Sequence, residues 1–324
     1  MSHNLRTIVI AVALLVGGVM GEAQQAKKIP VIGILDSGSA SSSSYRLEAF
    51  RQGLRELGYI EGQNIAFEYR FAVGKQARFP ELAAALVRLN VDVLIAAGGN
   101  STTRALKQAT QTIPIVMTSG SDAVDGGLVA SLAQPGGNVT GLTGLYDDLS
   151  GKRLELLKET IPKLSRVGVL WQGGGNQWRA VQTVARELHL QVHSMEIRDV
   201  KDFEPLFKEA AKTRIGAVYV TSGTLFSANQ NIIADLAIRH RLPGMFTTQR
   251  YVELGGLMYY GPNSSDMYRR AATFVDKILK GRTPAELPIE QPMKFEFVVN
   301  LKTAKQIVFT IPPNVLVRAT RVIK

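Results

Sequence analysis

Short polar segments follow several predicted strands, and their chemistry is typical of ligand binding. The segment Gly98-Gly99-Asn100-Ser101-Thr102 comes after the apolar run Val91–Ala97 and opens a predicted helix. Its glycines let a ligand approach the backbone, and free N–H groups at a helix start attract a carboxylate. A helix capped by Ser101 or Asn100, with no ligand, is the alternative interpretation.

Further candidates stand at the ends of other predicted strands. Asp122 could pair with a ligand ammonium group or simply cap a helix. Aromatic side chains supply large apolar contacts at low entropic cost, although they are more often part of a core. The predicted ligand-binding residues are Ser37, Tyr45, Gly99, Ser101, Thr102, Ser121, Asp122, Tyr146, Trp171, Asn176, Ser222, Phe226 and Thr247.

The sequence contains no G-x-S-x-G, H-E-x-x-H or P-loop motif. Among the four histidines, His189 and His193 are four apart, but the residues between them are predicted as strand. Gly173-Gly174-Gly175 precedes a predicted helix, but Trp178 stands where the dinucleotide fingerprint ends in glycine. We therefore expect no catalytic residue, no metal and no cofactor.

Alternating strands and helices position these candidates. Strands are predicted at 29–35, 64–70, 91–97 and 113–117, and helices at 45–57, 81–89, 101–109 and 128–132. This alternation indicates an open parallel sheet covered by helices. Pro135-Gly136-Gly137-Asn138 then marks a break.

A second series of elements follows the break. Strands are predicted at 167–171, 190–197, 217–220, 244–247, 257–260 and 294–299, and helices at 149–160, 178–188, 203–211, 229–240 and 267–280. The predicted fold class is α/β, with two Rossmann-like lobes of parallel strands joined by a multi-strand hinge. We expect lobe 1 at 29–141 with part of 265–292, and lobe 2 at 142–264 with part of 293–324.

Residues 1–23 have the organisation of a cleavable signal peptide. Arg6 precedes the apolar run Ile8–Met20, and Gly21-Glu22-Ala23 offers a small-x-small cleavage site. This run is shorter than the about 20 residues that span a bilayer. The alternatives to a cleavable signal peptide are an uncleaved anchor and a buried core helix. We therefore expect a periplasmic protein. Because the periplasm contains little NAD or ATP, this location favours solute capture over nucleotide turnover.

The amino-acid composition limits the classes of partner that we expect for this protein. Hydrophobic content of 45% and charged content of 20% are typical of a soluble globular protein. The net charge of +11 could concentrate anionic solutes, favour an anionic membrane face, or serve solubility alone. The bases are dispersed, so nucleic acid is not an expected partner. Because cysteine is absent, we expect no disulfide and no lipid anchor, hence a soluble protein without stable membrane insertion after cleavage. We also expect a monomer.

Long segments of the chain carry a family pattern. They include the runs Gly53–Tyr59, Gly127–Gly141, Gly151–Lys158, Gly255–Met258, Gly261–Pro262, Tyr268–Ala272, Val275–Gly281 and Asn300–Ala304. Over essentially the whole sequence after the leader, the chain resembles the ABC-transporter substrate-binding family that includes the tryptophan/tyrosine-type binding proteins. This resemblance implies a type I periplasmic binding fold with three crossovers, one ligand in the cleft, and delivery to an inner-membrane permease with a cytoplasmic ATPase.

The sequence departs from that family at positions expected in the cleft. Ser121-Asp122-Ala123-Val124 replaces the frequent Gly-Asp-Pro-Val, and Gln172-Gly173-Gly174 replaces Asn-Pro-Asp. Arg250 stands where the family usually has an acid. The resemblance therefore predicts the scaffold more securely than the ligand.

The expected function is capture of a small carboxylate-bearing molecule by hinge closure, with an aromatic amino acid or aromatic acid favoured. Ser101 and Thr102, with neighbouring N–H groups, are expected to hold the carboxylate. Tyr45, Trp171 and Phe226 are expected to close on the apolar part. A ligand-sensing module for a membrane receptor and an exported enzyme are the alternatives.

Overall fold

The computed structural model describes residues 28–121, 123–173 and 176–324, without the side chain of Asn176. The predicted leader and Asp122 lie outside these residues. The strands are β1 Val31–Asp36, β2 Ala66–Phe71, β3 Val93–Ala97, β4 Ile115–Gly120, β5 Val139–Thr143, β6 Arg166–Gln172, β7 Gln191–Ile197, β8 Ala217–Val220, β9 Gly244–Phe246, β10 Met258–Pro262, β11 Phe295–Asn300 and β12 Arg321–Ile323. The helices are α1 Ala40–Glu56, α2 Phe79–Arg88, α3 Asn100–Ala109, α4 Ser150–Thr160, α5 Asn176–Glu187, α6 Phe203–Lys212, α7 Thr224–Ala228, α8 Gln230–Arg239, α9 Arg250–Glu253, α10 Ser264–Leu279, α11 Leu301–Gln306 and α12 Pro313–Arg318.

The first five strands form one parallel sheet in the order β2-β1-β3-β4-β5. Its strands are short and apolar, and β3 is buried along its whole length between helices on both faces. The strand order reverses at β1, so the carboxyl ends of β1 and β3 diverge into a crevice. We call this sheet with its helices the first lobe.

The second sheet has the order β12-β11-β10-β9-β8-β6-β7. It is parallel from β7 through β6 and β8 to β10, and mixed beyond, because β11 runs antiparallel to β10. Its reversal point is β6, which lies between β7 and β8. We call this sheet with its helices the second lobe.

The chain returns to the first lobe before it ends. Helix α10 packs along α1 and against β4 and β5. The helices meet closely at Gly53, where an added Cβ would stand 2.5 Å from the carbonyl oxygen of Arg269. The segment after α10 then follows β5, with Thr143 and Glu290 joined through an N–H···O bond of 2.9 Å, before β11 and β12 complete the second sheet.

The predicted α/β class with two Rossmann-like sheets is confirmed, and three local predictions are wrong. Helix α1 begins at Ala40 rather than Tyr45 because Ser39 and Ser42 form a capping box. The predicted helix at 128–132 is absent from the described chain, since Ala130 donates its N–H to the carbonyl of Pro135 instead. Residues 139–143, for which no strand is predicted, form the edge strand β5.

No helix within the described ranges is both long and apolar enough to cross a membrane.

Candidate functional site

A cleft of about 190 Å³ lies between the two lobes. Its described wall consists of Arg46, Gln76, Gly98, Gly99, Asn100, Ser101, Ser119, Ser121, Tyr146, Gln172, Gly173, Gln177, Ser222, Gly223, Thr224, Ser227 and Thr248. Nearly all of these side chains are polar and uncharged. The cleft is therefore built to form hydrogen bonds.

The topology explains why these residues meet. In open α/β sheets, ligands bind beyond the carboxyl ends of strands at the point where strand order reverses. The first lobe contributes the loops after β3 and β4, and the second contributes those after β6, β8 and β9. The two reversal points thus open into one shared space.

The two lobes touch at the rim of this space. Gln76 Nε2 donates to Thr224 Oγ1 at 2.9 Å. Nearby, a Cβ added at Gly74 would lie 2.7 Å from the Cβ of Ala228. The structure therefore has its lobes in direct contact, with the cleft enclosed between them.

Arg46 is the one charged side chain on the described part of the wall. It lies on the second turn of α1, partly buried, with Nη2 donating to Ser43 Oγ at 2.9 Å. Its guanidinium carbon lies 5.4 Å from the ring centroid of Tyr268 and 5.8 Å from that of Tyr45. The Nε is buried without a hydrogen-bond partner among the described residues, while Arg46 as a whole lines the cleft, so the guanidinium brings a positive charge to this wall.

The fully buried Asp36 lies beneath this cation. Its Oδ1 accepts the N–H of Gly38 at 2.7 Å, and its Oδ2 has no partner among the described residues. Burial raises the pKa of this carboxyl, while the charge of Arg46 lowers it by a smaller amount. Burial therefore penalises the charged form of Asp36 more than the nearby guanidinium stabilises it.

The amino end of α3 also faces the cleft. The helix begins at Asn100 with Gly99 as its N-cap, and no side chain caps it. The predicted cap by Asn100 or Ser101 is wrong, because Asn100 Oδ1 accepts the N–H of Ser121 at 2.9 Å. The exposed Ser101 and the first N–H groups of α3 therefore face the same space as Arg46, and both features favour negative charge.

Tyr146 connects the cleft to the crossover between lobes. Its carbonyl oxygen accepts from Arg153 Nη1 at 2.8 Å, and Arg153 Nε donates to the carbonyl of Tyr260 at 2.7 Å. Arg153 is completely buried and so holds two crossover segments together. Burial raises the pKa of Tyr146 against the lowering effect of both arginines, which keeps its hydroxyl protonated.

Amide side chains form the wall of the second lobe. Gln177 donates through Nε2 to Ser222 Oγ and accepts the N–H of Ser222 at 2.8 Å. Gln172 Oε1 accepts the N–H of Leu225 at 3.2 Å. These bonds orient the amides before any ligand arrives.

The structure places part of the predicted site on this wall. Gly99, Ser101, Ser121, Tyr146 and Ser222 line the cleft. Asp122 and the side chain of Asn176 lie outside the described residues, so their predicted roles are not tested.

The other predicted polar residues lie behind the wall. Ser37, Thr102 and Thr247 are buried, and Thr102 donates its hydroxyl to the carbonyl of Gly99 at 2.9 Å. Thr102 therefore supports the loop that faces the cleft.

The predicted aromatic contacts are also absent from the described wall. Trp171 stacks on Trp178 with centroids 5.2 Å apart and donates Nε1 to Ser194 Oγ at 2.8 Å. Phe226 is 1% exposed and packs beside Phe203 in the core of the second lobe. Tyr45 is partly buried beside Arg46.

Sequence reasoning missed Arg46 and the glutamines Gln76, Gln172 and Gln177. A signal for Arg46 was present, because it stands one turn before Phe50 on the inward face of an amphipathic helix. A charge on that face needs a partner or a function. No comparable periodic signal marks the glutamines, because Gln76 and Gln177 stand at the starts of helical segments and Gln172 is the last residue of β6.

A second cavity of about 160 Å³ shares Ser121 and Tyr146 with the cleft. Its remaining wall combines the aliphatic residues Ala123, Val124, Leu132 and Leu145 with Thr143, Asp147, Asp148 and Gln291.

No group of acidic and histidine side chains suited to a metal ion occurs within the described ranges.

Known proteins share this sequence and architecture. A family model described as ABC transporter substrate binding protein matches residues 22–323. A tyrosine-binding protein of Clostridioides difficile is 26% identical over 284 residues, which cover 86% of this chain and 81% of that protein. The fold is the type I periplasmic binding fold.

Two solved structures extend the comparison. A conserved domain protein of Vibrio cholerae is 27% identical with a TM-score of 0.84, covering 91% of this chain and 100% of the other. An ABC domain in complex with L-Trp from Streptococcus pneumonia is 23% identical with a TM-score of 0.82, covering 91% and 99%. The second likeness shows the fold alone.

Proposed function

Since the chain belongs to the family of ABC transporter substrate-binding proteins, we propose that it captures a small carboxylate-bearing solute by closure of its two lobes. The observation that carries this proposal is Arg46, the one charge on the described wall of a cleft that both lobes form. A guanidinium presents paired donors that match a carboxylate.

Closure follows from the distribution of contacts over both lobes. A solute held by Arg46 and Ser101 on one side and Gln177 on the other gains both sets of bonds only when the lobes meet. Binding therefore shifts the population toward the closed arrangement.

The cellular role follows from the family. We propose delivery of the solute to an inner-membrane ABC permease by a monomeric protein exported to the periplasm. The family membership and the leader pattern of residues 1–23 support this location. The relative named for tyrosine supports a solute that carries a carboxylate, and the described wall supports the recognition of that group.

A thermal-shift screen of ligand-stripped protein tests the proposal. The panel contains small carboxylates and, for each, the uncharged amide of the same skeleton. Some carboxylates should raise the melting temperature by several degrees at saturation, since binding at 100 times Kd adds about 2.7 kcal/mol, whereas their amides should not.

Arg46→Gln should weaken binding of any hit about tenfold to hundredfold, because a hydrogen bond to a charged group contributes about 1.5–3 kcal/mol. Arg55→Gln is the matched control, since Arg55 lies on the same helix, half exposed and paired with Glu48 away from the cleft. Hits that bind equally well to the Arg46 variant, or amides that bind as well as acids, would contradict the proposal.

A further inference from the structure

We propose that the solute is a hydroxyl-rich aliphatic carboxylate of the sugar-acid type, and not an aromatic amino acid. This inference rests on the proposed function and deepens it. It follows from three properties of the described wall: its hydrogen-bonding groups, its lack of an aromatic slot, and its charge.

The neutral wall groups are those that a polyhydroxylated molecule uses. Asn100, Ser119 and Gln76 stand on the first lobe, and Gln177 and Thr248 on the second. Amides and hydroxyls both donate and accept, as ligand hydroxyls do. Several of these groups already bond within the protein, and their remaining donors and lone pairs suit ligand hydroxyls better than an apolar ring, which offers them no hydrogen bond.

The large aromatic residues near the cleft are committed elsewhere. Trp171 and Trp178 stack on each other, and Phe226 and Tyr251 are buried in the core of the second lobe. Tyr146 is the single aromatic residue on the described wall. Pockets for drug-sized ligands are mostly apolar, whereas the lining of this cleft is polar.

The charge of the described wall also favours an acid without an ammonium group. Arg46 contributes a positive charge, and no described residue of the wall contributes a negative one. An ammonium group would enter a positive field there. Asp122 lies outside the described residues, so tyrosine and tryptophan are tested beside phenyllactate, an aromatic acid without an ammonium group.

The competing arrangement uses the second cavity. An aromatic ring could extend past Tyr146 toward Leu132 and Leu145, where it would lie in the space that Asp147 and Asp148 also line. That arrangement predicts tight binding of tyrosine or tryptophan, which is the opposite of our proposal.

Isothermal titration of the unfolded, ligand-stripped and refolded full chain distinguishes the two. One set contains glycerate, threonate, xylonate, gluconate and quinate; the second contains tyrosine, tryptophan and phenyllactate; the third contains the uncharged polyols sorbitol and xylitol. Circular dichroism before each titration verifies that the refolded protein is native.

At least one hydroxylated acid should bind at least about tenfold more tightly than every aromatic acid and every polyol. Its affinity should fall in Arg46→Gln and persist in Arg55→Gln. Trp178→Leu should leave its affinity unchanged, since Trp178 is stacked on Trp171 and does not line the cleft.

Aromatic acids that bind as tightly as the hydroxylated set, or more tightly, with dependence on Arg46 would overturn this inference and leave the proposed function intact. Binding of polyols without any acid, or no binding of either acid set by folded protein, would overturn both.

Discussion

Removal of the hydrogen bond between Gln76 and Thr224 should shift the protein toward an open arrangement. Gln76 Nε2 and Thr224 Oγ1 are 2.9 Å apart and belong to different lobes. Gln76→Met removes the donor from an exposed position, and Thr224→Val removes the acceptor at a buried one. Both replacements keep the approximate side-chain volume.

The expected magnitude follows from the neutral character of both groups. A hydrogen bond of this type contributes about 0.5–1.5 kcal/mol net, which changes the closed-to-open ratio about 2- to 13-fold. If the closed form is the minor one without ligand, the shift in closure raises the apparent Kd by the same factor, in addition to any direct contact that Gln76 and Thr224 make with the ligand on the cleft wall. The unfolding free energy should change little in Gln76→Met, because the side chain is exposed.

A double-mutant cycle isolates this interaction from other effects of the two replacements. Affinity for whichever carboxylate the screen identifies is measured for the native chain, each single variant and the double variant. Because the chain has no cysteine, a pair introduced on the two lobes also allows fluorescence transfer to report closure directly. Gln52→Met serves as the control, since Gln52 bonds Glu56 within α1.

A coupling energy of about 0.5–1.5 kcal/mol between positions 76 and 224 would agree with a bond made only on closure. The reasoning is refuted if the two effects simply add, or if fluorescence transfer is the same in all four proteins.

Two further changes act on the same region. The pKa of Asp36 is raised in the folded protein, so this carboxyl stabilises the fold below its unfolded pKa of 3.8 and loses that contribution as pH rises through the folded pKa. Asp36→Asn lacks this loss, so its unfolding free energy should rise relative to that of the native chain as pH rises above 3.8. Urea denaturation that gives the same difference between the two proteins at every pH would contradict this. Gly74→Ala should hold the lobes apart, because the new Cβ would lie 2.7 Å from that of Ala228. Adding Ala228→Gly removes this contact and should restore fluorescence transfer. It should not recover the about 1 kcal/mol of unfolding free energy that alanine loses at φ 75°, as measured by denaturation.

The alternation of the sequence was sufficient to predict the sheets, because strands such as β3 and β8 are buried on both faces and read as continuous apolar runs. Strand β5 was not predicted, since Gly141 and two threonines interrupt its apolar character. The serines before Tyr45 resembled a loop, although Ser39 and Ser42 cap the helix that contains them.

The cleft was predicted to the level of its loops and not of its side chains. Loops after strands are located by topology, which the sequence pattern conveys. Which residue of a loop faces the ligand depends on backbone direction, as Ser101 on the wall and Thr102 behind it illustrate. Trp171 and Trp178 turned out to be each other's partners, a contact between two elements that no local pattern encodes.

The return of α10 to the first lobe has a consequence for biosynthesis. A nascent chain leaving the ribosome has made the whole first sheet long before residues 264–279 appear, and the side of α1 that receives them, including Gly53, waits uncovered. Domains usually fold in the order of translation, but here the first lobe is not complete until most of the second lobe has also been made. For the proposed export, which requires an unfolded chain, this order is favourable, because stable packing of the first lobe is postponed until residues 264–279 have been synthesised.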